Sequence, residues 1–402
     1  MSKNKRLGGL LIVAGTTVGG GMLALPIASA SAGVGLSIIL LIGMWALMTY
    51  TALITLEMNL YFNRGVSIAY AAEYSLGRAG KVISTFTIAM LFYALLSAYM
   101  AGGSSVLDQL IDSIFGLKIS SEVSVVLFAV IFGGIILART HIVDTANRWL
   151  LFVKTSFFII IVAACLPKID VSLLGRVPAE CIPCFSALIP LFFTSFGFHG
   201  SIPTIVNYIG PDPHKLRSTF ILGSTIPLIV YIVWEVVVLG VIPLEGSDSF
   251  AFIKASGGDL GVFANTLSNL AGGGWVVSAA QGFTSLAVAT SFLGVGLGLF
   301  DFMEEQLTRN DKKPSVFFTG AFTFVVPLVF ALFYPEGFVM ALGYAAIALS
   351  ILAIIIPTLV VWKLRKTHVS KARPVCGGRL GLIFALLCGV GVIVLEIRAI
   401  LN

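Results

Sequence analysis

Along most of the chain, apolar residues come in runs of about 20, cut by short polar connections; a helix of that length crosses the hydrocarbon core of a bilayer. Eleven runs fit, at 7–30, 35–60, 82–105, 122–140, 149–166, 184–208, 218–241, 277–302, 316–334, 338–362 and 380–400. The pattern predicts an all-α polytopic membrane protein of 11 transmembrane helices. Only the connection at 242–276 is long, and it is too long to be a simple turn. It predicts one or two short helices acting as an external lid.

Two runs are interrupted. The first carries GTTVGGGM at 15–22 and the sixth carries TSFGFHGSIP at 194–203. Glycine costs about 1 kcal/mol relative to alanine inside a helix, and unwound backbone is tolerated at membrane depth only where it is buried in protein or lines a wet cavity. Close helix packing is the ordinary use of glycine in a membrane helix. The breaks, however, occupy matching places five spans apart, so the second copy is inverted relative to the first. Such a pair points to an inverted-repeat transporter site. The repeats are read as 1–166 and 184–362, with 380–400 an extra helix.

A broken helix presents two new ends. Amides around Gly19, Gly20, Gly21 and Met22 offer partial positive charge to a carboxylate. Gly15 and Thr16 begin the same segment. In the sixth run, the end near Ser195 and Phe196 offers carbonyls to an ammonium. Gly197, Phe198 and His199 continue the break, Ser201 is placed to cap the next half-helix, and Pro203 falls in its first turn. Together the two breaks suit a zwitterion, the head of an α-amino acid.

Composition agrees and narrows the class. The 402 residues are 58% hydrophobic and only 11% charged, which no ordinary soluble domain matches. KNKR, an apolar run and ASASA at 28–32 imitate a signal peptide, but the run has the length of a span and many more follow. The +6 charge does not point to nucleic acid, because Lys and Arg lie between the spans. With the N-terminus inside, 20 of the 25 basic residues fall on the cytoplasmic side, which places the C-terminus in the periplasm. Cys181 and Cys184 form a CxxC with no second pair and read as small residues at a span entrance. No GxxxxGK[ST] is present, so transport must draw on an ion gradient or on exchange. No cofactor is expected, and no enzymatic cluster of His, Asp, Glu or Cys is found. Oligomeric state is open, and a monomer suffices.

GTTVGGGMLALP (15–26), TSFGFHGSIP (194–203), ATSFLGVGLGLFD (289–301) and FYPEGFVMALGYA (333–345) resemble the hydroxy and aromatic amino acid permeases over nearly the whole chain, the tyrosine-specific members most of all. The tryptophan permeases share much of the pattern. The resemblance implies a leucine-transporter-type core of five plus five inverted helices with an eleventh added. It also implies proton symport of an aromatic amino acid, tyrosine first, across the bacterial inner membrane. The side-chain pocket is then expected from Tyr93, Ser97, Phe196, Phe198 and Tyr344, each of which also reads as ordinary helix packing.

Ionisable residues inside a membrane are functional candidates. His199 lies in the sixth-span break, where it carries or senses a proton, bonds the substrate, or satisfies freed backbone. Lys154 reads as a snorkelling residue or, by resemblance to proton-coupled relatives, as the replacement for a sodium ion between spans one and eight. Thr290 and Ser291 supply hydroxyls of the kind that bind sodium, which keeps sodium coupling or exchange as the alternative. Glu57 and Asp301 sit at cytoplasmic span ends as gate or loop-pairing residues. Glu235, mid-span, has no assigned role.

Overall fold

The computed structural model describes residues 2–138, 140–175, 181–272, 274–309, 312–367 and 375–401. Arg139, Arg176, Lys371 and Arg373, used above for orientation, lie outside the described residues, as do the side chains of Arg148, Cys181 and Cys184. Helices make up the regular structure, and among the described residues the one bridge of strand type joins Arg309 and Lys312.

The first run forms α1 (Ser2–Thr17) and α2 (Gly21–Ser29), bent by 50° at Val18, Gly19 and Gly20. The break is thus narrower than the 15–21 expected, because Gly15 and Thr16 stay in α1. After α3 (Gly33–Tyr61) come the short α4 (Ile68–Leu76), α5 (Arg78–Phe115), α6 (Ser121–Leu137) and α7 (Thr140–Cys165). The four-residue α8 (Val171–Leu174) precedes α9 (Cys181–Ser195). A 3-10 turn at His199–Ser201 separates α9 from α10 (Ile202–Ile209), whose first turn holds Pro203. The chain continues through α11 (Pro213–Val241) to the long connection, which folds as α12 (Phe250–Ala255) and α13 (Leu260–Ala271). Then follow α14 (Trp275–Leu307), α15 (Val316–Phe333) and α16 (Phe338–Ser350), which runs through a π turn at Ile351–Ile355 into α17 (Ile356–Thr367). The last helix is α18 (Gly378–Leu401).

Each of the eleven apolar runs falls on a helix or a helix pair. By length and composition, eight of the described spans can cross a membrane, or nine with the bent α1–α2 pair. At 17 residues, α6 is a shorter apolar helix. The chain is a multi-pass membrane protein.

Polar residues in the connections start the helices. Ser67, Ser120, Asp212, Ser249, Asp259 and Ser315 each accept a hydrogen bond from an otherwise orphaned first-turn amide. Ser201 does not do this. Its hydroxyl donates to the Phe198 carbonyl at 2.8 Å, because the preceding residues turn as a 3-10 helix and keep it in helical conformation.

Packing divides the helices into two groups. The broken α1–α2 and α9–α10 pack with α3 and α11, while α5, α6, α7, α14 and α15 pack on one another. One buried ion pair fixes α3 to the far end of the fold. Arg365 on α17 donates from Nε and Nη2 to the two Glu57 oxygens, each at 2.7 Å, and the Val375 amide adds a 2.8 Å bond. Glu57 is thus a loop-pairing residue, whereas Asp301 is exposed. Glu396, toward the end of α18, is buried against Gly343 of α16.

Candidate functional site

The two breaks lie side by side. A Cβ built on Gly21 would stand 3.8 Å from Ser195 Oγ. Tyr231 of α11 joins them: its hydroxyl is 2.7 Å from the Thr17 carbonyl, where α1 ends, and 2.9 Å from the Ser195 carbonyl, where α9 ends. Phe196 packs edge-on against the Tyr231 ring at 5.2 Å. The Ser195 carbonyl proposed for an ammonium is therefore shared with a phenol.

The amides of span one divide into two sets. Gly20 donates to Ser291 Oγ at 2.8 Å, and Met22 donates back to the Gly19 carbonyl at 3.3 Å. The amides of Gly19 and Gly21 have no partner among the described hydrogen bonds. Two donors thus stay open at the start of α2, where the helix dipole favours an anion. The glycines are required by close neighbours. A Cβ on Gly19 would come within 2.6 Å of Ser291 Oγ, and one on Gly20 within 3.0 Å of Tyr99 Cε1. Tyr99, whose phenol reaches Ser291, covers the break from α5.

Lys154 of α7 is 4% exposed. Its Nζ donates to the Val18 carbonyl at 3.0 Å and to Thr290 Oγ1 at 3.4 Å, and no carboxylate pairs with it among the described residues. It bridges the first break and α14, with Thr290 and Ser291 adjacent, and is not snorkelling to an exposed surface. The ammonium thus rests on one carbonyl and one hydroxyl acceptor.

The other candidates are scattered around this centre. Ser97 is buried on α5 and Tyr344 is half-buried on α16. Tyr93 is turned away, its hydroxyl donating to the Phe322 carbonyl of α15 at 2.6 Å. Phe198 packs with Val13, Ala52 and Phe220 in a separate apolar cluster inside the group of broken helices. His199 faces α3, where Nε2 shares a 2.9 Å hydrogen bond with Thr51 Oγ1, and its Nδ1 is buried without a partner. Thr16 bonds to its own helix, through Ile12 and Val13.

The surroundings are lopsided. On the α12–α13 side, Tyr99, Phe196, Leu260 and Phe338 are all buried, and Gly258 lies over Ile27 and Val339. On the side of the chain's N-terminus, Thr16, Gly200 and Gly294 are exposed, and a Cβ on either glycine would meet open space.

Comparison with known proteins gives the family of the chain. The model of the tryptophan/tyrosine permease family matches residues 2–396. The chain is 40% identical to "Tyrosine-specific transport system 1" of Haemophilus influenzae, over 96% of this chain and 95% of that protein. It is 35% identical to "Tyrosine-specific transport system 2" of the same organism, over 97% and 95%. It is 32% identical to a "Tryptophan-specific transport protein" of Pseudomonas aeruginosa, over 98% and 95%.

Proposed function

The chain belongs to the tryptophan/tyrosine permease family, a family of transporters and not of enzymes, and we propose that it imports aromatic amino acids, L-tyrosine first, by proton symport across a bacterial inner membrane. The observation that carries this reading is the meeting of the two breaks. Open Gly19 and Gly21 amides suit the carboxylate, and the carbonyl ends at Thr17 and Ser195 suit the ammonium. Tyr99 and Phe196 supply aromatic walls to the same place. The tyrosine preference draws on the two tyrosine-specific relatives at 40% and 35% identity.

The lopsided surroundings support a reading of alternating access. With the N-terminus cytoplasmic and the C-terminus periplasmic, α12 and α13 are external, and the conformation is shut outward and open inward. The five-plus-five inverted repeat with an eleventh helix gives the two helix groups their relative rocking. Proton coupling is favoured because Lys154 already holds Val18 and Thr290. A sodium ion placed among the same oxygens would repel the ammonium.

Uptake of labelled tyrosine into proteoliposomes tests the whole reading. An imposed inward proton gradient should drive accumulation without sodium, and a protonophore should abolish it. Tryptophan and phenylalanine should compete while aliphatic amino acids should not. Accumulation that needs sodium and ignores the protonophore refutes the proton; stronger competition by tryptophan than by tyrosine itself moves the substrate to tryptophan.

A further inference from the structure

Glu235 lies six residues before the end of α11 and is fully buried. Its Oε2 accepts a 2.8 Å hydrogen bond from Ser29 Oγ, in the last residue of α2. Ser37 of α3, also fully buried, reaches the same carboxyl. The other oxygen, Oε1, is buried with no partner. No ion pair involves Glu235 among the described residues.

Among the described residues, the elements around α11 offer it no counter-charge, since their titratable groups are committed elsewhere or distant. On α7, Lys154 is held by Val18 and Thr290, and Cys165 is a buried free cysteine. Glu57 of α3 is paired with Arg365, and Tyr50 donates to the Cys376 carbonyl. Asp170 caps Ser172 before α8, next to the exposed Lys168, and Asp259 caps α13. On α11 itself, Tyr231 serves the two breaks, and His214, Lys215 and Arg217 stand at the opposite end, as do Lys5 and Arg6 of α1, Tyr61 of α3 and Tyr208 of α10. His199 bonds to Thr51.

An unpaired carboxylate in such a place is strongly disfavoured against a neutral acid. With the acid neutral, Oε2 still accepts the 2.8 Å hydrogen bond from Ser29 Oγ, and the charge is gone. We infer that Glu235 is a proton-binding site whose protonated form latches the outer end of span one to α11 and holds the external path shut. The balance is one proton: the carboxylate, hydrated while α2 is swung away, takes it from external water as the path shuts, and returns it to external water when the path reopens. Rising external pH therefore favours the open form, because ionised Glu235 must be hydrated. This latch rests on the transporter reading above for its meaning but not for its test.

Hydrogen exchange of the full-length protein, followed by mass spectrometry on peptides covering 21–29 and 250–271, reads the latch without substrate or gradient. Wild type and E235Q are compared at each pH from about 5 to about 9, which cancels the intrinsic pH dependence of exchange. The wild-type to E235Q ratio of exchange rates should rise by about threefold or more with pH. Ser29→Ala should raise exchange at low pH, where the latch is closed, and weaken the pH dependence. In transport, tyrosine counterflow by wild type should fall as external pH rises, while that of E235Q stays flat. A constant ratio across the pH range overturns the latch, as does unchanged protection in Ser29→Ala. Failure of proton-driven uptake with the exchange result intact would refute the coupling alone.

Discussion

Gly20 has room for a side chain only if Tyr99 moves, since a Cβ would stand 3.0 Å from its ring. Gly20→Leu should therefore insert normally and bind tyrosine at least about tenfold more weakly, read by scintillation proximity binding; normal affinity would reduce the first break to a packing device. Tyr231 offers a second test. Removing its hydroxyl leaves the buried Thr17 and Ser195 carbonyls without that donor, at a cost of about 1–3 kcal/mol. Tyr231→Phe should thus lower the melting temperature in detergent, and tyrosine at saturating concentration should recover more of the loss than it gives to wild type. Lys154→Met keeps most of the side chain's length and removes its charge, so it should abolish proton-driven accumulation while the protein remains folded.

Among the elements, α13 starts from a carboxylate cap. Asp259 accepts from the Val262 amide at 2.8 Å. Burial pushes its carboxyl above the ordinary value, and the nearby Glu336 charge adds to this. A raised folded value means that the protonated form is favoured in the folded connection, so stability present in acid is lost as pH rises. Asp259→Asn keeps a capping oxygen without the charge and should match or exceed wild-type protection of α13 at neutral pH, the difference vanishing in acid. Asp259→Ala should lose about 1 kcal/mol of local stability at either pH. Hydrogen exchange over 260–271 checks both. The sequence made the breaks legible because glycine in a buried helix needs a reason, and two such reasons occurred at matching places. It was silent on Tyr99 and Tyr231, since which tyrosine of a helix faces a break elsewhere in the chain depends on how the helix is rotated in the assembled fold. Tyr93 carried the same local signal and turned instead to Phe322. Ser201 read as a cap by type and position, but a cap also requires extended backbone, which the 3-10 turn denies it.

Over the whole molecule, span-length apolar runs were the strongest signal, since hydrocarbon thickness sets their length independently of packing. What ties distant spans together was not legible. The Glu57–Arg365 pair links residues 308 apart, and each partner alone resembled an ordinary span-end charge. Glu57→Gln should destabilise the protein by about 3 kcal/mol by leaving Arg365 half-buried and uncompensated, with the loss seen as a lower detergent melting temperature.

The shared hydroxyl of Tyr231 has a stoichiometric consequence. Two severed helix ends turn two acceptors toward a phenol that owns a single hydrogen, so these two carbonyls are short of a donor between them. A free α-ammonium brings three N–H groups and removes the shortage. A 2-keto acid brings none, and an N-acetylated amino acid brings one on a group with no charge. The site should accordingly discriminate at the amino end as sharply as at the ring: neither N-acetyltyrosine nor the keto acid of tyrosine should compete for uptake, although both carry the carboxylate and the phenol.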